Sequence, residues 1–220
     1  TGESISYRPY LVKEEKILLM AMESEDERQM IRAIQDVVNA CTSDSINMNR
    51  IAMSDMEYIF TQLRAKSVGE TVTIGMKCFE CETQNEVDLN LDNVKVDSPK
   101  EVSDVIKLTD TIAVKMKYPS VNTVLESTEK NQEMSPIDQI FDLLVNCIDS
   151  IYSGEEVFDT ASHPRNEIVD FIESLNADQF TKVREFVENI PSTRINAEFK
   201  CKNCGHENSN TLRGLANFFG

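Results

Sequence analysis

The sequence predicts an α+β fold: N-terminal helices, a split zinc ribbon of short antiparallel strands, and a helical insertion. Two observations carry this prediction. Apolar residues recur every three to four positions in the first third and again after Ser135, whereas period-two alternation surrounds two Cys-x-x-Cys pairs. The pairs are Cys78 with Cys81 and Cys201 with Cys204.

The first third predicts three helices. The segment 13–24 is apolar in its middle, and a second helix carries Ile31 to Cys41 on one stripe. Ser54 is a candidate cap for a third helix, which Gly69 ends. We therefore assign residues 1–70 to an N-terminal helical part.

The split ribbon comprises residues 71–93 and 194–220. Val72, Ile74 and Met76 alternate with polar residues before the first cysteine pair, and Ile195, Ala197 and Phe199 do so before the second. A strand, a Cys-x-x-Cys turn and a returning strand form half of a zinc ribbon. Gly205 suits a turn with positive φ, whereas Glu82 holds the corresponding place in the first pair.

The insertion covers residues 94–193. We predict a hairpin that pairs 105–108 with 112–118, and then three helices. Ser135 and Pro136 begin a helix whose stripe runs from Ile137 to Ile151, and Gly154 ends it. Pro164 and Asn176 begin the other two helices. We find no internal repeat and no low-complexity segment.

The four paired cysteines predict one structural Zn²⁺ held by Cys78, Cys81, Cys201 and Cys204. Two residues between cysteines let one turn aim both thiolates at one point, and two turns complete a tetrahedral shell. A simple ribbon has about 15–20 residues between its pairs, whereas 119 residues separate Cys81 from Cys201 here. A redox dithiol and two unrelated pairs are the alternatives. His206 could be a ligand only by displacing a cysteine.

The remaining chemistry-bearing residues favour structural roles. Cys41 and Cys147 fall on apolar helix faces and are expected to be buried. The sequence has two histidines, no phosphate-binding glycine loop and no G-x-S-x-G or H-E-x-x-H motif. A closed four-cysteine shell has no open position for a substrate. We therefore expect no enzymatic activity.

The charge and hydropathy limit the classes of partner. A formal net charge of −16 disfavours general binding to nucleic acid. A cluster of basic residues surrounds the second cysteine pair and leaves a zinc-ribbon nucleic-acid adaptor as an alternative function. The cluster consists of Arg194, Lys200, Lys202 and Arg213. No apolar run reaches the roughly 18 residues of a membrane helix.

Three segments together carry a family resemblance. They are Pro9–Ser24 (PYLVKEEKILLMAMES), Phe60–Glu70 (FTQLRAKSVGE), and the two cysteine pairs with the closing Thr211–Leu215 (TLRGL). This combination resembles the small baseplate hub protein family of T4-like contractile-tailed bacteriophages. The resemblance covers most of the chain and is strongest over residues 7–91.

The resemblance implies a non-enzymatic role in building the baseplate hub, with other hub proteins or tape-measure proteins as partners. It leaves open whether the chain stays in the finished particle or acts as a transient assembly chaperone. It implies that the protein lies in the host cytoplasm during assembly, with the virion baseplate as the second location. The family has no catalytic residues to transfer. Tyr7–Met22 and the Phe218–Phe219 tail are candidate contact surfaces because they carry apolar residues near both chain ends.

Overall fold

The structure is a computed structural model that describes residues 4–42, 46–48, 50–97, 103–131 and 134–214. It is a mixture of helices and antiparallel sheets, so the predicted α+β class is confirmed. The chain divides into two compact units. Unit 1 comprises residues 1–97 and 191–220, and unit 2 comprises residues 98–190.

Three helices open unit 1: α1 (Val12–Glu23), α2 (Glu27–Cys41) and α3 (Met53–Ser67). The Asp26 carboxylate accepts the Arg28 N–H and caps α2. The stripe of α2 is buried as its spacing predicts, and Cys41 is buried with it. The predicted cap at Ser54 is wrong, because α3 begins at Met53 and Ser54 lies buried in its first turn.

The strands of unit 1 form two small antiparallel sheets. One is the hairpin of β1 (Thr71–Lys77) and β2 (Gln84–Asn90). The other has β8 (Ser192–Lys200) at its centre, between β3 (Lys95–Asp97) and β9 (Glu207–Arg213). In β1 and β2 every second residue is buried, as the alternation predicts.

A buried polar contact fastens helix α3 to strand β8 in unit 1. The Thr193 hydroxyl donates to Glu57 Oε2 over 2.9 Å, and both residues are buried. Gly214, at φ 73°, donates its N–H to the Thr193 carbonyl over 3.0 Å. Because a buried carboxylate needs hydrogen-bond donors, the first contact fixes β8 against α3, and the second holds the end of β9 to β8.

Unit 2 contains a four-stranded antiparallel sheet in the order β4-β5-β6-β7. Its strands are β4 (Val105–Lys107), β5 (Ile112–Met116), β6 (Ile148–Ser153) and β7 (Glu156–Asp159). Its helices are α4 (Val121–Asn131), α5 (Pro136–Cys147), α6 (Arg165–Glu173) and α7 (Ala177–Glu188). Cys147, Leu144, Val114 and Ile172 are among the most buried residues of its core.

The structure corrects the predicted insertion in three places. The helix predicted to reach Ile151 ends at Cys147, and residues 148–153 form β6, which pairs with β5. The spacing of Cys147, Ile148 and Ile151 fits a helix, but β-branched residues also favour a strand where a partner is available. Strand β7 and helix α4 were not predicted. The hairpin of β4 and β5 and the starts of α5, α6 and α7 agree with the prediction.

No helix in the described part of the chain is both long and apolar enough to cross a membrane. The predicted contact segment Phe218–Phe219 lies outside the described residues, whereas Tyr7–Met22 lies within them.

Candidate metal centre

The two hairpins bring the sulfur atoms of Cys78, Cys81, Cys201 and Cys204 within 4.8 Å of one another. Cys78 Sγ lies 3.7 Å from Cys204 Sγ, and Cys81 Sγ lies 3.6 Å from Cys201 Sγ. Four thiolates placed about 2.3 Å from a central Zn²⁺ would be separated by about 3.8 Å. The cluster therefore has the size that a tetrahedral Zn²⁺ shell requires.

Each cysteine pair lies in a tight turn between two paired strands. In the first turn Cys78 N–H donates to the Thr83 carbonyl over 3.0 Å, and Glu82 N–H donates to the Cys78 carbonyl over 2.9 Å. The second turn repeats both bonds, from Cys201 N–H to the His206 carbonyl and from Gly205 N–H to the Cys201 carbonyl. The two halves of the centre thus have the same backbone construction.

The residue after each pair has a left-handed conformation. Gly205 has φ 74°, as its glycine predicts, and Glu82 has φ 56°. A residue with a Cβ atom is strained there by about 1–2 kcal/mol. The departure from Cys-x-x-Cys-Gly in the first turn therefore leaves the geometry unchanged and costs backbone strain.

Two asparagines that the sequence did not predict as site residues connect the two halves of the centre. Asn85 Oδ1 accepts the Lys202 N–H of the opposite turn over 2.9 Å. Its Nδ2 donates to the Thr83 carbonyl over 2.7 Å and lies 3.8 Å from Cys201 Sγ. Each half is therefore braced by a side chain of the other.

Asn208 makes the corresponding contacts in the reverse direction. Its Oδ1 accepts the Phe79 N–H over 2.9 Å, and its Nδ2 donates to the His206 carbonyl over 3.0 Å and lies 3.6 Å from Cys78 Sγ. Both asparagines are 4% exposed. The signal is the pattern Cys-x-x-Cys-x-x-x-Asn, which occurs at 78–85 and at 201–208.

Burial differs among the four thiols. Cys78 and Cys201, the first of each pair, are buried, Cys81 is half-buried and Cys204 is exposed. Additional donors approach the sulfurs: Asn203 N–H lies 3.4 Å from Cys201 Sγ, and Asn203 Nδ2 lies 3.7 Å from Cys81 Sγ. N–H donors stabilise thiolates more than thiols, so these contacts suit a metal-binding cluster.

The proton affinities of the thiols diverge because the sulfurs interact. The pKa of Cys81 is lowered to about 6, first by its hydrogen bond with the Thr83 side chain and then by the Thr83 backbone. The pKa of Cys201 is lowered chiefly by a backbone hydrogen bond from Cys204. For Cys204 a backbone hydrogen bond at His206 lowers the pKa, but Cys81, burial and the remaining thiols outweigh it and raise it to about 12. A divalent cation would neutralise the charge that resists the last deprotonation.

The other sequence candidates lie apart from this cluster. Cys41 and Cys147 are buried, as predicted. His163 pairs with Glu167 over 3.1 Å in unit 2. His206 contributes its backbone carbonyl to the second turn, and the group of metal-ligating side chains found among the described residues contains the four cysteines without it.

Comparison with protein families matches residues 1–220 to the family of the T4 bacteriophage base plate protein. The chain belongs to this family. Among curated proteins it is similar to the "Baseplate hub assembly protein gp26" of Enterobacteria phage T4, with 21% identity over 187 residues. That alignment covers 85% of this chain and 82% of the relative. No solved structure matches the chain significantly.

Family membership confirms the predicted resemblance to T4-like baseplate proteins and places the chain in the context of the phage baseplate. The relative's name describes an assembly protein and no enzyme. The four-cysteine cluster is present in the structure and could bind a metal ion.

Proposed function

We propose that this chain is a non-enzymatic component or assembly protein of the baseplate hub in a contractile-tailed phage, and that one structural Zn²⁺ holds its fold. The family and its named hub-assembly relative support the role. The sulfur geometry of Cys78, Cys81, Cys201 and Cys204 supports the ion and is the single observation that carries it.

The donor set fits Zn²⁺ better than a hard cation. Four thiolates in a tetrahedral arrangement favour zinc or an iron centre over Mg²⁺ or Ca²⁺, which prefer oxygen ligands. Four protein ligands leave no open position for a substrate, so the ion would contribute folding free energy and no chemistry. The cluster joins segments that are 119 residues apart in sequence.

The same geometry supports the split zinc ribbon and the proposed domain boundaries. The hairpin β1-β2 carries one cysteine pair and the hairpin β8-β9 carries the other. The proposed insertion, residues 94–193, corresponds closely to the compact unit of residues 98–190. We propose that the ion binds the two ends of the chain that flank this insertion.

Metal analysis and thermal unfolding together test the zinc proposal. We expect one Zn²⁺ per chain by native mass spectrometry and a large fall in the melting temperature after chelation. Cys201→Ser should lose the metal, whereas Cys41→Ser, which replaces a buried thiol of the same unit, should retain it. An unchanged melting temperature after complete removal of the metal would show that the ion is not structural.

The hub role has two forms, a retained component and a transient assembly chaperone, with hub or tape-measure proteins as partners. Quantitative mass spectrometry of finished virions and baseplate intermediates distinguishes them. A fixed stoichiometry in both identifies a component, and loss from virions identifies a chaperone. Absence from virions and from every intermediate contradicts both forms. Host cytoplasm during assembly is the proposed location in either form.

A zinc-ribbon nucleic-acid adaptor is a weaker candidate function, which the basic residues near the second cysteine pair suggest. Two of them are partly neutralised, since Arg194 and Arg213 lie 3.4 Å and 3.7 Å from Asp97 Oδ2. The net charge of −16 also opposes binding to a polyanion. Retention on a heparin column at physiological salt would favour this candidate.

A further inference from the structure

Helix α1 exposes apolar side chains on the face turned away from the rest of unit 1. Its buried face consists of Glu14, Leu18 and Ala21. On the outer face Val12, Leu19 and Met20 are 79%, 54% and 60% exposed, and Ile17 and Met22 flank them. A helix with apolar residues all round is typical of a buried position. Exposed apolar clusters of this kind mark interaction sites.

Two residues of opposite charge lie on the same outer face of α1, one towards each end of the helix. Lys16 and Glu23 are seven residues, about two helical turns, apart. Both are exposed, and neither forms an ion pair within the part of the chain that the structure describes. Leu19 and Met20 lie between them. Lys13 and Asp26, which lie towards the two ends of α1, are instead paired with Glu14 and Arg28.

We propose that the outer face of α1 binds α1 of a second copy of this chain in an antiparallel arrangement. A twofold axis between Leu19 and Met20 places Leu19 of each copy against Met20 of the other. The same axis places each Lys16 opposite Glu23 of the other copy, so both ends of the interface have opposite charges. A parallel arrangement would set lysine against lysine. Self-complementarity of this type is what a twofold interface requires.

The pairing is weak and depends on protein concentration. A helix of 12 residues is about 18 Å long. One pair of such helices buries less than the roughly 1,600 Å² of a standard stable interface. The association must therefore be measured over a wide range of protein concentration.

Sedimentation analysis of charge-reversal variants tests the proposal on the full chain. Lys16→Glu and Glu23→Lys each place like charges opposite one another twice per dimer, and each should weaken self-association by about tenfold. An equimolar mixture of the two variants restores opposite charges at both ends. It should form a mixed dimer with an affinity close to that of the wild type.

Two further variants separate the interface from general effects. Lys107→Glu makes the same change in net charge as Lys16→Glu, but on an exposed lysine of unit 2, and should leave the dimer unchanged. Leu19→Asp should abolish dimerisation without loss of folding, because Leu19 is not buried. Circular dichroism spectra check that every variant is folded.

Three results would overturn the proposal. They are a wild type that is monomeric at all concentrations, a dimer that survives Leu19→Asp unchanged, and a mixture of charge variants that associates no better than either alone. A monomeric wild type that instead binds another purified baseplate protein through α1 would assign the face to that protein.

Discussion

Asn85 and Asn208 occupy equivalent positions in two hairpins and reach across to each other's cysteine turn. The side-chain oxygen of each accepts a backbone N–H from the residue after the first cysteine of the opposite turn, over 2.9 Å in both cases. The amide nitrogen of each approaches that same cysteine's sulfur. Neither cysteine pair is therefore positioned by its own hairpin alone.

Replacing these amides should weaken metal binding. Asn85→Asp and Asn208→Asp keep the acceptor oxygen but place a carboxylate oxygen where the amide donor faced a thiolate. Loss of such an outer contact lowers metal affinity by about 10–100-fold. Competition with a chromophoric zinc chelator measures the affinity. Because the two halves are equivalent, the two variants should lose similar amounts.

Asn196→Asp is the matched control for these variants. Asn196 lies in the same hairpin as Asn208, is exposed, and accepts the Thr211 hydroxyl over 3.0 Å without contact to a cysteine. Its zinc affinity should equal that of the wild type. If all three variants bind zinc equally well, the asparagines do not position the thiolates.

The left-handed turn residues give a second, reciprocal prediction. Glu82→Gly should stabilise the folded protein by up to about 1 kcal/mol, because glycine adopts φ 56° without the Cβ strain. Gly205→Ala should destabilise it by about 1 kcal/mol. A Cβ at Gly205 would meet only Lys200 Cε at 3.7 Å, so backbone conformation is the cause. Denaturant unfolding of zinc-loaded protein measures both, and changes of the same sign would contradict this account.

Glu14 should make stability depend on acid pH. Burial raises its pKa, but hydrogen bonds from Arg8 and from the Leu11 N–H outweigh burial and lower the pKa from 4.5 to about 2. The unfolded chain therefore binds more protons between these values, so the stabilisation is complete above pH 4.5 and is lost as the pH falls towards 2.

The melting temperatures of the wild type and Glu14→Gln, measured from acid to neutral pH, test this dependence. The variant should melt at a lower temperature at neutral pH, and the difference should disappear near the folded pKa of about 2. Glu15→Gln, one residue along, is the control and should melt close to the wild type. A difference for Glu14→Gln that is constant with pH would show that the ionised carboxylate is not the cause.

Asp142 anchors a buried polar network in unit 2. Its Oδ1 pairs with Arg165 over 2.5 Å, and its Oδ2 accepts the Ser127 hydroxyl and the Asn146 amide over 2.8 Å and 3.0 Å. Asp142→Ala should lower the free energy of unfolding by about 2 kcal/mol because three donors lose their acceptor. Urea unfolding measures this loss.

Asp149→Ala provides the comparison within the same unit. Asp149 forms longer ion pairs with Lys115 and Lys117, at 3.6 Å and 3.8 Å, and its side chain is 40% exposed. Its replacement should cost less than about 1 kcal/mol. Equal losses in the two variants would rule out burial of the network as the source of the Asp142 effect.

The sequence predicts the cysteine cluster well because ligand spacing is a local property of each turn. Each Cys-x-x-Cys pair spans only four residues, and the alternating strands on either side indicate a hairpin. The contributions of Asn85 and Asn208 are less visible, since each acts on the other turn and a lone buried asparagine has no periodic signal. Only alignment of the two segments with each other reveals them.

The errors in unit 2 have a different cause. Ile148 and Ile151 continue the helical stripe of α5, and no glycine or proline interrupts the chain before Gly154. What ends α5 at Cys147 is the availability of β5 as a pairing partner, and the Ile112–Ser153 pairing is not encoded locally. Helix α4 was missed because Thr123, Ser127 and Thr128 dilute its apolar stripe.

Unit 1 is built from two separate segments of the sequence, and this affects the folding of the nascent chain. A ribosome delivers β1, β2 and the first cysteine pair long before it delivers β8, β9 and the second pair. The contiguous residues 98–190 can fold as soon as they emerge, whereas unit 1 lacks its second cysteine pair until residues 191–213 have been synthesised. Closing a loop of that length makes this last step slow relative to local folding. A product truncated after residue 190 would thus contain Cys78 and Cys81 without the other two thiols of the cluster, and its unit 1 would be incomplete.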